Sequence, residues 1–302
     1  MKSDLEDIAE RLAASPDYRV LRKLQQSYPG GPALTSGTIR RAAIVDVETT
    51  GMDPEGDRVI ELGIVVFEYA SETGEVGPVV ARYSGLEDPG RPIPEETIAI
   101  HGITDEMVAG HRVNDETVAQ MLEGVALVIA HNAGFDRPFV ESRWPAFASL
   151  PWACSIQDVS WRSHGYGSSA LEFLAYRACL FYDAHRAEMD CLVVLAVLAR
   201  PLGDTGQSAL RQLLESARQP SYRMTALDSP FETKDFLKRR GYRWNGDARV
   251  WTADVAAADR EAELIWLKAH VYGGEQAAIE VEALDARLRY SRRRGRKERI
   301  DI

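Results

Sequence analysis

The chain has 302 residues, 45% of them hydrophobic and 27% charged, with a net charge of −10. That composition fits a soluble globular protein with room for one large domain and a smaller one, and excludes a fibrous or fully disordered chain. No apolar run approaches the ~20 residues needed to cross a bilayer, and the acidic start MKSDLEDIAERL lacks a signal peptide's layout. Cys154, Cys179 and Cys191 have no metal-ligand spacing and form no even set, which predicts reduced thiols in a cytoplasmic protein. The acidic balance disfavours a polyanionic partner overall, but basic residues cluster in KDFLKRRGYRW and in RLRYSRRRGRKERI. Each stretch can hold phosphates or simply solvate a surface.

In chain order, residues 1–40 read as an extension. Two short amphipathic helices are expected, around Leu5–Ala14 and Tyr18–Gln26, with Ser15-Pro16-Asp17 between them and YPGGPALTSG as a linker. They can pack on the main domain or bind a partner. The main domain spans 41–200. Ala42–Val47 is a buried strand, RVIELGIVVFEY a second and PVVARYSG a third. A proline-rich loop leads to NDETVAQMLEGV, a helix with Asn114 as its cap. ALVIAHN is a strand, FDRPFVESRW a helix, and SSALEFLAYRACL and AEMDCLVVLAVLAR two more. Three early strands followed by alternating strand and helix give an α/β fold, a mixed sheet flanked by helices. Residues 201–222 form a helical linker with a helix over Ser208–Arg218 and then a loop. Residues 223–272 form a small α+β module with a hairpin at Asn245-Gly246 and a last helix over Asp254–Val271. Residues 273–302 read as a basic tail, helical in part and then frayed.

Four acids in three motifs stand out. Asp46 and Glu48 in IVDVETTGM are two apart at a strand end, so both face one side. Ligands collect at such edges in α/β sheets, and Gly51 permits a tight turn there. Asp136 in HNAGFD starts a helix. Asp190 in HRAEMD opens a nearly all-apolar helix, where an acid is costly unless paired or metal-bound. His185, five residues earlier, lies ~140° from Asp190 on an ideal helix, so it belongs before the first turn. If the four carboxylates meet, they repel one another unless hard cations neutralise them.

The ordered set DVETTG, HGIT (101–104), HNAGFD and HRAEMD resembles the DEDDh superfamily of 3′–5′ exonucleases, over about residues 41–200. Met52 and Cys191 stand where leucine and alanine are common in that family. The resemblance implies a ribonuclease H-like fold and hydrolysis of phosphodiesters from the 3′ end of DNA, in proofreading or repair. It implies two divalent cations, Mg²⁺ or Mn²⁺, since oxygen-only ligands favour these. Asp46, Glu48 and Asp190 would hold one and Asp46 and Asp136 the other, with His185 as general base. Thr49, Thr50, Gly51 and Met52 would receive the chain end. His101 and Asn132 would contact substrate or support the site, and Phe135 would stack on a base or belong to the core. A polymerase or repair protein is an expected partner, and a membrane is not.

Two other readings stay open. An exoribonuclease would use the same site, and a non-catalytic scaffold subunit would need none of it. In the C-terminal module, Phe231, Tyr242, Trp244 and Trp251 sit among Lys234, Lys238, Arg239, Arg240, Arg243 and Arg249. They build either a stacking platform for single strands or a small core ringed by solvated cations.

Overall fold

Alternation and apolar runs in the first third of the main domain produce long strands, and those strands carry the site. The computed structural model describes residues 4–203 and 206–302. The first three residues of the extension and residues 204–205 of the linker lie outside these. The chain divides into two compact units, up to Leu214 and from Glu215 to Ile302.

In the first unit, α1 (Asp4–Ala13) is followed by the two-residue strand β1 (Arg22–Lys23). The helix expected at Tyr18–Gln26 does not form. Arg22 and Lys23 instead pair in parallel with β7, Leu180–Phe181, a tertiary ladder that overrides local helix preference. β2 (Ile39–Thr49), β3 (Val59–Ala70) and β4 (Val76–Leu86) form an antiparallel meander. Three short helices come next: α2 (Glu95–His101), α3 (Asp105–Val108) and α4 (Asp115–Met121). Asn114 caps α4, its side chain accepting from the Thr117 N–H at 2.8 Å. β5 (Val125–Ala130) and β6 (Trp152–Cys154) then add in parallel, with α5 (Ala133–Arg143) between them. The result is the expected mixed sheet, in the order β4-β3-β2-β5-β6.

α6 (Leu171–Arg177) precedes β7, and α7 (Ala187–Leu198) follows it. α7 packs on β2 and β3 and buries nearly every side chain, which explains its lack of a polar face. α8 (Ala209–Arg218) is amphipathic and crosses the division between the units. Cys154 and Cys191 are buried and Cys179 is exposed, none of them paired. Among the described residues no helix is long and apolar enough to cross a membrane.

The second unit is a five-stranded antiparallel sheet, β12-β11-β8-β10-β9. Its elements are β8 (Ser221–Ala226), α9 (Lys234–Arg240), β9 (Arg243–Asn245), β10 (Val250–Ala256), α10 (Arg260–His270), β11 (Ala278–Leu284) and β12 (Arg296–Asp301). Three expectations change here. The loop expected before residue 223 is the start of β8, which pairs with both β10 and β11. The last helix starts at Arg260 rather than Asp254, because Asp254–Ala256 belong to β10. Residues 273–302 are not a partly helical, frayed tail, since β11 and β12 pair over six residues each. Glu280 faces Arg299 and Glu282 faces Lys297 across that ladder, so charge that reads as disorder in sequence is cross-strand complementarity here. The hairpin at Asn245 does form, but with four residues in its turn. Asn245 pairs with Val250, its side chain accepts from the Ala248 N–H, and Arg249 takes φ +54°.

Candidate active site

Asp46 and Glu48 lie on β2 with one residue between them, so the pleat presents both carboxylates together. Directly across from Asp46 on β3 is Gly63. A Cβ on Gly63 would stand 2.6 Å from the Ala187 carbonyl oxygen, so only glycine lets the start of α7 lie flat on the strand. That approach places Asp190, one turn into α7, against the β2 acids. Oxygens of Asp46, Glu48 and Asp190 lie within 4.8 Å of one another. From α5, Asp136 is 2% exposed and accepts the Val47 N–H at 3.2 Å through Oδ1. The four acids that the sequence scatters are therefore neighbours.

Their electrostatics match a site built for cations. Burial first, and then Asp136, Asp190 and Glu48, push the Asp46 carboxyl well above its ordinary range. Asp46 keeps part of its surface open, yet it sits among dense protein and other acids. Burial and then Asp190 raise Glu48 to about 8. Asp136 is raised by burial, although its backbone hydrogen bonds oppose the shift. Asp190 is raised to about 6 by burial, while hydrogen bonding from Tyr182 and the charge of His185 hold it down. Such a cluster of oxygen donors, short of positive charge, suits Mg²⁺ or Mn²⁺ better than a soft metal.

His185 is exposed, with φ +64°, two residues before α7. This left-handed kink ahead of the first turn removes the ~140° offset that would separate it from Asp190 on a continuous helix. The residues that hold the kink were not singled out from sequence. Glu61 on β3 is 1% exposed and receives Arg186 Nη2 at 3.0 Å and the Ala187 N–H at 3.2 Å. It thus takes up a free donor at the start of α7, which has no side-chain cap of its own. The sequence signal was a lone acid in the apolar run RVIELGIVV. Tyr182 hydrogen-bonds Asp190, and burial raises its own hydroxyl.

The loop after β2 is fixed by another residue missed in sequence, Asp57. Its Oδ1 accepts from Thr50 Oγ1 at 3.0 Å and from Arg91 Nη2 at 2.7 Å, and its Oδ2 accepts the Asp53 N–H. A Cβ on Gly51 would stand 2.7 Å from the Asp57 carboxyl carbon. Thr49 Oγ1 donates to the Gly51 carbonyl at 2.6 Å, and Met52 is left 78% exposed beyond this braced turn. HGIT also resolves into geometry. Gly102 ends α2 with φ +71°, and Ile103 plugs an apolar cluster with Ile60, Ile93 and Val108. His101 Nδ1 accepts the Ile103 N–H at 3.0 Å, so Nε2 bears the proton in the neutral ring. Nε2 is buried without a well-formed hydrogen bond, although the Thr49 backbone is near enough to favour protonation; burial, the larger effect, lowers the pKa. Asn132 is exposed at φ +89° before α5. Phe135 is half-buried, 5.1 Å from the Phe139 ring, which partly occupies it in packing.

Comparison with known proteins agrees in extent with the first unit. Residues 43–198 match the protein-family model described as Exonuclease. The DNA polymerase III subunit epsilon of Treponema pallidum (strain Nichols) is 32% identical over 160 residues, covering 50% of this chain and 71% of that one. A PolC-type DNA polymerase III of Thermotoga maritima is 33% identical over 111 residues, 36% of this chain but only 8% of the polymerase. Among solved structures, exonuclease X in complex with 5′-overhanging duplex DNA is 27% identical, covers 57% of this chain and 97% of its own, and has a TM-score of 0.43. E. coli exonuclease I in complex with a dA16 oligonucleotide is 17% identical, with a TM-score of 0.45, over 61% of this chain and 48% of its own. The family match ends before the second unit begins.

Proposed function

Because the chain belongs to the exonuclease family, we propose that its first unit removes nucleotides from the 3′ end of single-stranded or frayed DNA, using two divalent cations. The observation that carries this reading is the convergence of Asp46, Glu48 and Asp190 within 4.8 Å, with Asp136 adjoining and His185 exposed beside them.

Asp46, Glu48 and Asp190 would hold one cation, and Asp46 and Asp136 would hold a second. Bound cations would supply an acidified water and charge relief at phosphorus. The protein's own tasks are positioning and proton transfer. His185 takes the proton of the attacking water, for which an imidazole outside the helix has the reach. Tyr182 fixes the Asp190 carboxylate, and Glu61 fixes the backbone that leads into it. The braced Thr49–Met52 turn offers backbone groups to a terminal 3′-hydroxyl, with exposed Met52 set against the last base. Asn132 and Phe135 line the same substrate, and His101 supports the turn from behind.

The likeness to an epsilon subunit supports work beside a DNA polymerase, with mispaired ends as preferred substrates. A digestion panel tests the whole reading. DNA labelled at the 5′ end should give a ladder shortening from the 3′ end with Mg²⁺ or Mn²⁺, none with EDTA, and faster loss from mismatched than from paired ends. RNA should be cut more slowly. Shortening from the 5′ end, or full activity in Asp190→Ala, would sink it.

A further inference from the structure

The second unit carries a surface feature that the first unit's chemistry does not use. Its core consists of Met224, Leu237, Tyr242, Trp251, Leu264, Leu267, Ile279 and neighbours. Of the aromatics clustered in sequence, Tyr242 and Trp251 are therefore spent on packing. Phe231 and Trp244 are not: they are 73% and 51% exposed.

Phe231 and Trp244 belong to one row. Phe231 leads through a short 3₁₀ turn into α9, and Phe231, Lys234 and Lys238 fall at i, i+3 and i+7, a single helical stripe. Lys234 Nζ lies 3.8 Å from the Phe231 ring centre, and Lys238 Nζ 5.9 Å from that of Trp251. Trp251 pairs directly across the ladder with Trp244, their rings 5.4 Å apart. The row thus runs Phe231, Lys234, Lys238, Trp251, Trp244, two cations between aromatic rings. Glu232 and Asp235 follow Phe231 and Lys234 by one residue and so turn about 100° off the stripe.

Ion pairing divides the cations of the second unit into two groups, and the lysines of the row fall in the unpaired one. Arg223 is paired with Asp254, Arg240 with Glu263 and Lys297 with Glu280. Among the described residues no carboxylate is within ion-pair distance of Lys234, Lys238, Arg239, Arg243 or Arg249. Lys and Arg outnumber Asp and Glu from Glu215 onward, in a chain whose net charge is −10. Unpaired Lys234 stands beside the open ring of Phe231, and Lys238 beside the Trp251–Trp244 pair.

We infer that the Phe231–Lys234–Lys238–Trp244 row is a binding track for single-stranded nucleic acid, independent of the hydrolytic reading of the first unit. Phosphates neutralise the unpaired cations, and bases stack on Trp244 and Phe231. A duplex hides its base faces and cannot use the rings. An acidic peptide would satisfy the charges but leave both aromatics in water.

The test uses the full-length chain in EDTA, with fluorescein-labelled thymidine and uridine oligomers of about twenty nucleotides, followed by anisotropy across a salt series. Both oligomers should bind, more weakly as salt rises. Trp244→Ala and Phe231→Ala should each weaken binding about five-fold or more, and Trp244→Phe should retain most of it. The double variant Lys234→Ala, Lys238→Ala should weaken binding and flatten its salt dependence. In parallel, Mn²⁺-dependent hydrolysis of thymidine 5′-monophosphate p-nitrophenyl ester, too small to span a track, should be unchanged in these variants. Affinities within two-fold of wild type in Trp244→Ala and in the double lysine variant would overturn the inference, as would a preference for polyglutamate or for duplex DNA. Failure of the ester hydrolysis in the wild-type chain would count against the nuclease reading instead, and leave the binding result intact.

Discussion

Gly63 and Ala187 meet with no side chain between them, and that contact sets how closely α7 lies on the sheet. Asp46 is the ladder partner of Gly63, and Asp190 lies one turn beyond Ala187. The spacing of the acids is therefore decided by a hydrogen atom where other residues carry a methyl group. Gly63→Ala should force the start of α7 outward, costing about 1–3 kcal/mol of stability as an overpacked site. Urea unfolding measures that loss. Mn²⁺ titration by calorimetry should show weaker binding, and an unchanged affinity would mean that the acids adjust independently of α7.

Arg186 and Glu61 should respond unequally to removal. The Arg186 side chain is 49% exposed, whereas that of Glu61 is 1% exposed. Arg186→Ala strands a buried acid with only the Ala187 N–H and Ser84 for partners, and should cost about 3 kcal/mol. Glu61→Gln frees Arg186 into water and keeps an acceptor for Ala187, so about 1 kcal/mol is expected. Equal losses in urea denaturation would refute the asymmetry.

His185→Ala should reduce turnover about 10²–10⁴-fold, the usual worth of a general base. Since its ring is exposed and outside the helix, thermal stability and the stabilisation given by Mn²⁺ should be unaffected. A lost Mn²⁺ effect in this variant would assign His185 to the metal rather than to the proton.

The acids also set a pH dependence with a definite sign. In the cation-free protein Asp190 is raised to about 6 and Glu48 to about 8, above their unfolded values. The folded state then holds protons that the unfolded chain releases. Their stabilising contribution is full below the unfolded values and is lost as pH rises through about 6 and then about 8. Cations bind the ionised forms. Melting temperature in EDTA should fall over this range, and the gain on adding Mn²⁺ should grow. A gain independent of pH would show that the carboxylates are not the ligands.

Much of the site was legible because its residues carry cost. An acid opening an all-apolar helix has to be explained, and a DxE at a strand end has a direction fixed by the pleat. The position of His185 followed from helical angle alone, and the left-handed kink realises it. Glu61 escaped notice because its partner Arg186 is 125 residues away; Tyr182 and Asp57 have nearer partners, Asp190 and Thr50, but meet them only through the folded shape of a loop. The same blindness to pairing turned β1 into an expected helix and β11–β12 into an expected frayed tail. β1 and β12 are basic, with low intrinsic preference for strand, and both are ordered by ladders that only the folded chain contains.

The β1–β7 pairing links the extension to the loop that carries Tyr182 and His185 in a way that can be uncoupled. Leu24 N–H donates to the Phe181 carbonyl at 2.9 Å, Lys23 reaches Asp183 at 2.7 Å, and Arg19 holds the carbonyls of Tyr176 and Arg177. The next residues along are Tyr182 and His185. Residues 35–38, between this strap and β2, are exposed. A protease cut there would leave the strap attached by non-covalent contacts alone. The order of the loop ahead of α7 would then follow mass action, falling on dilution and returning when the free peptide is supplied in excess.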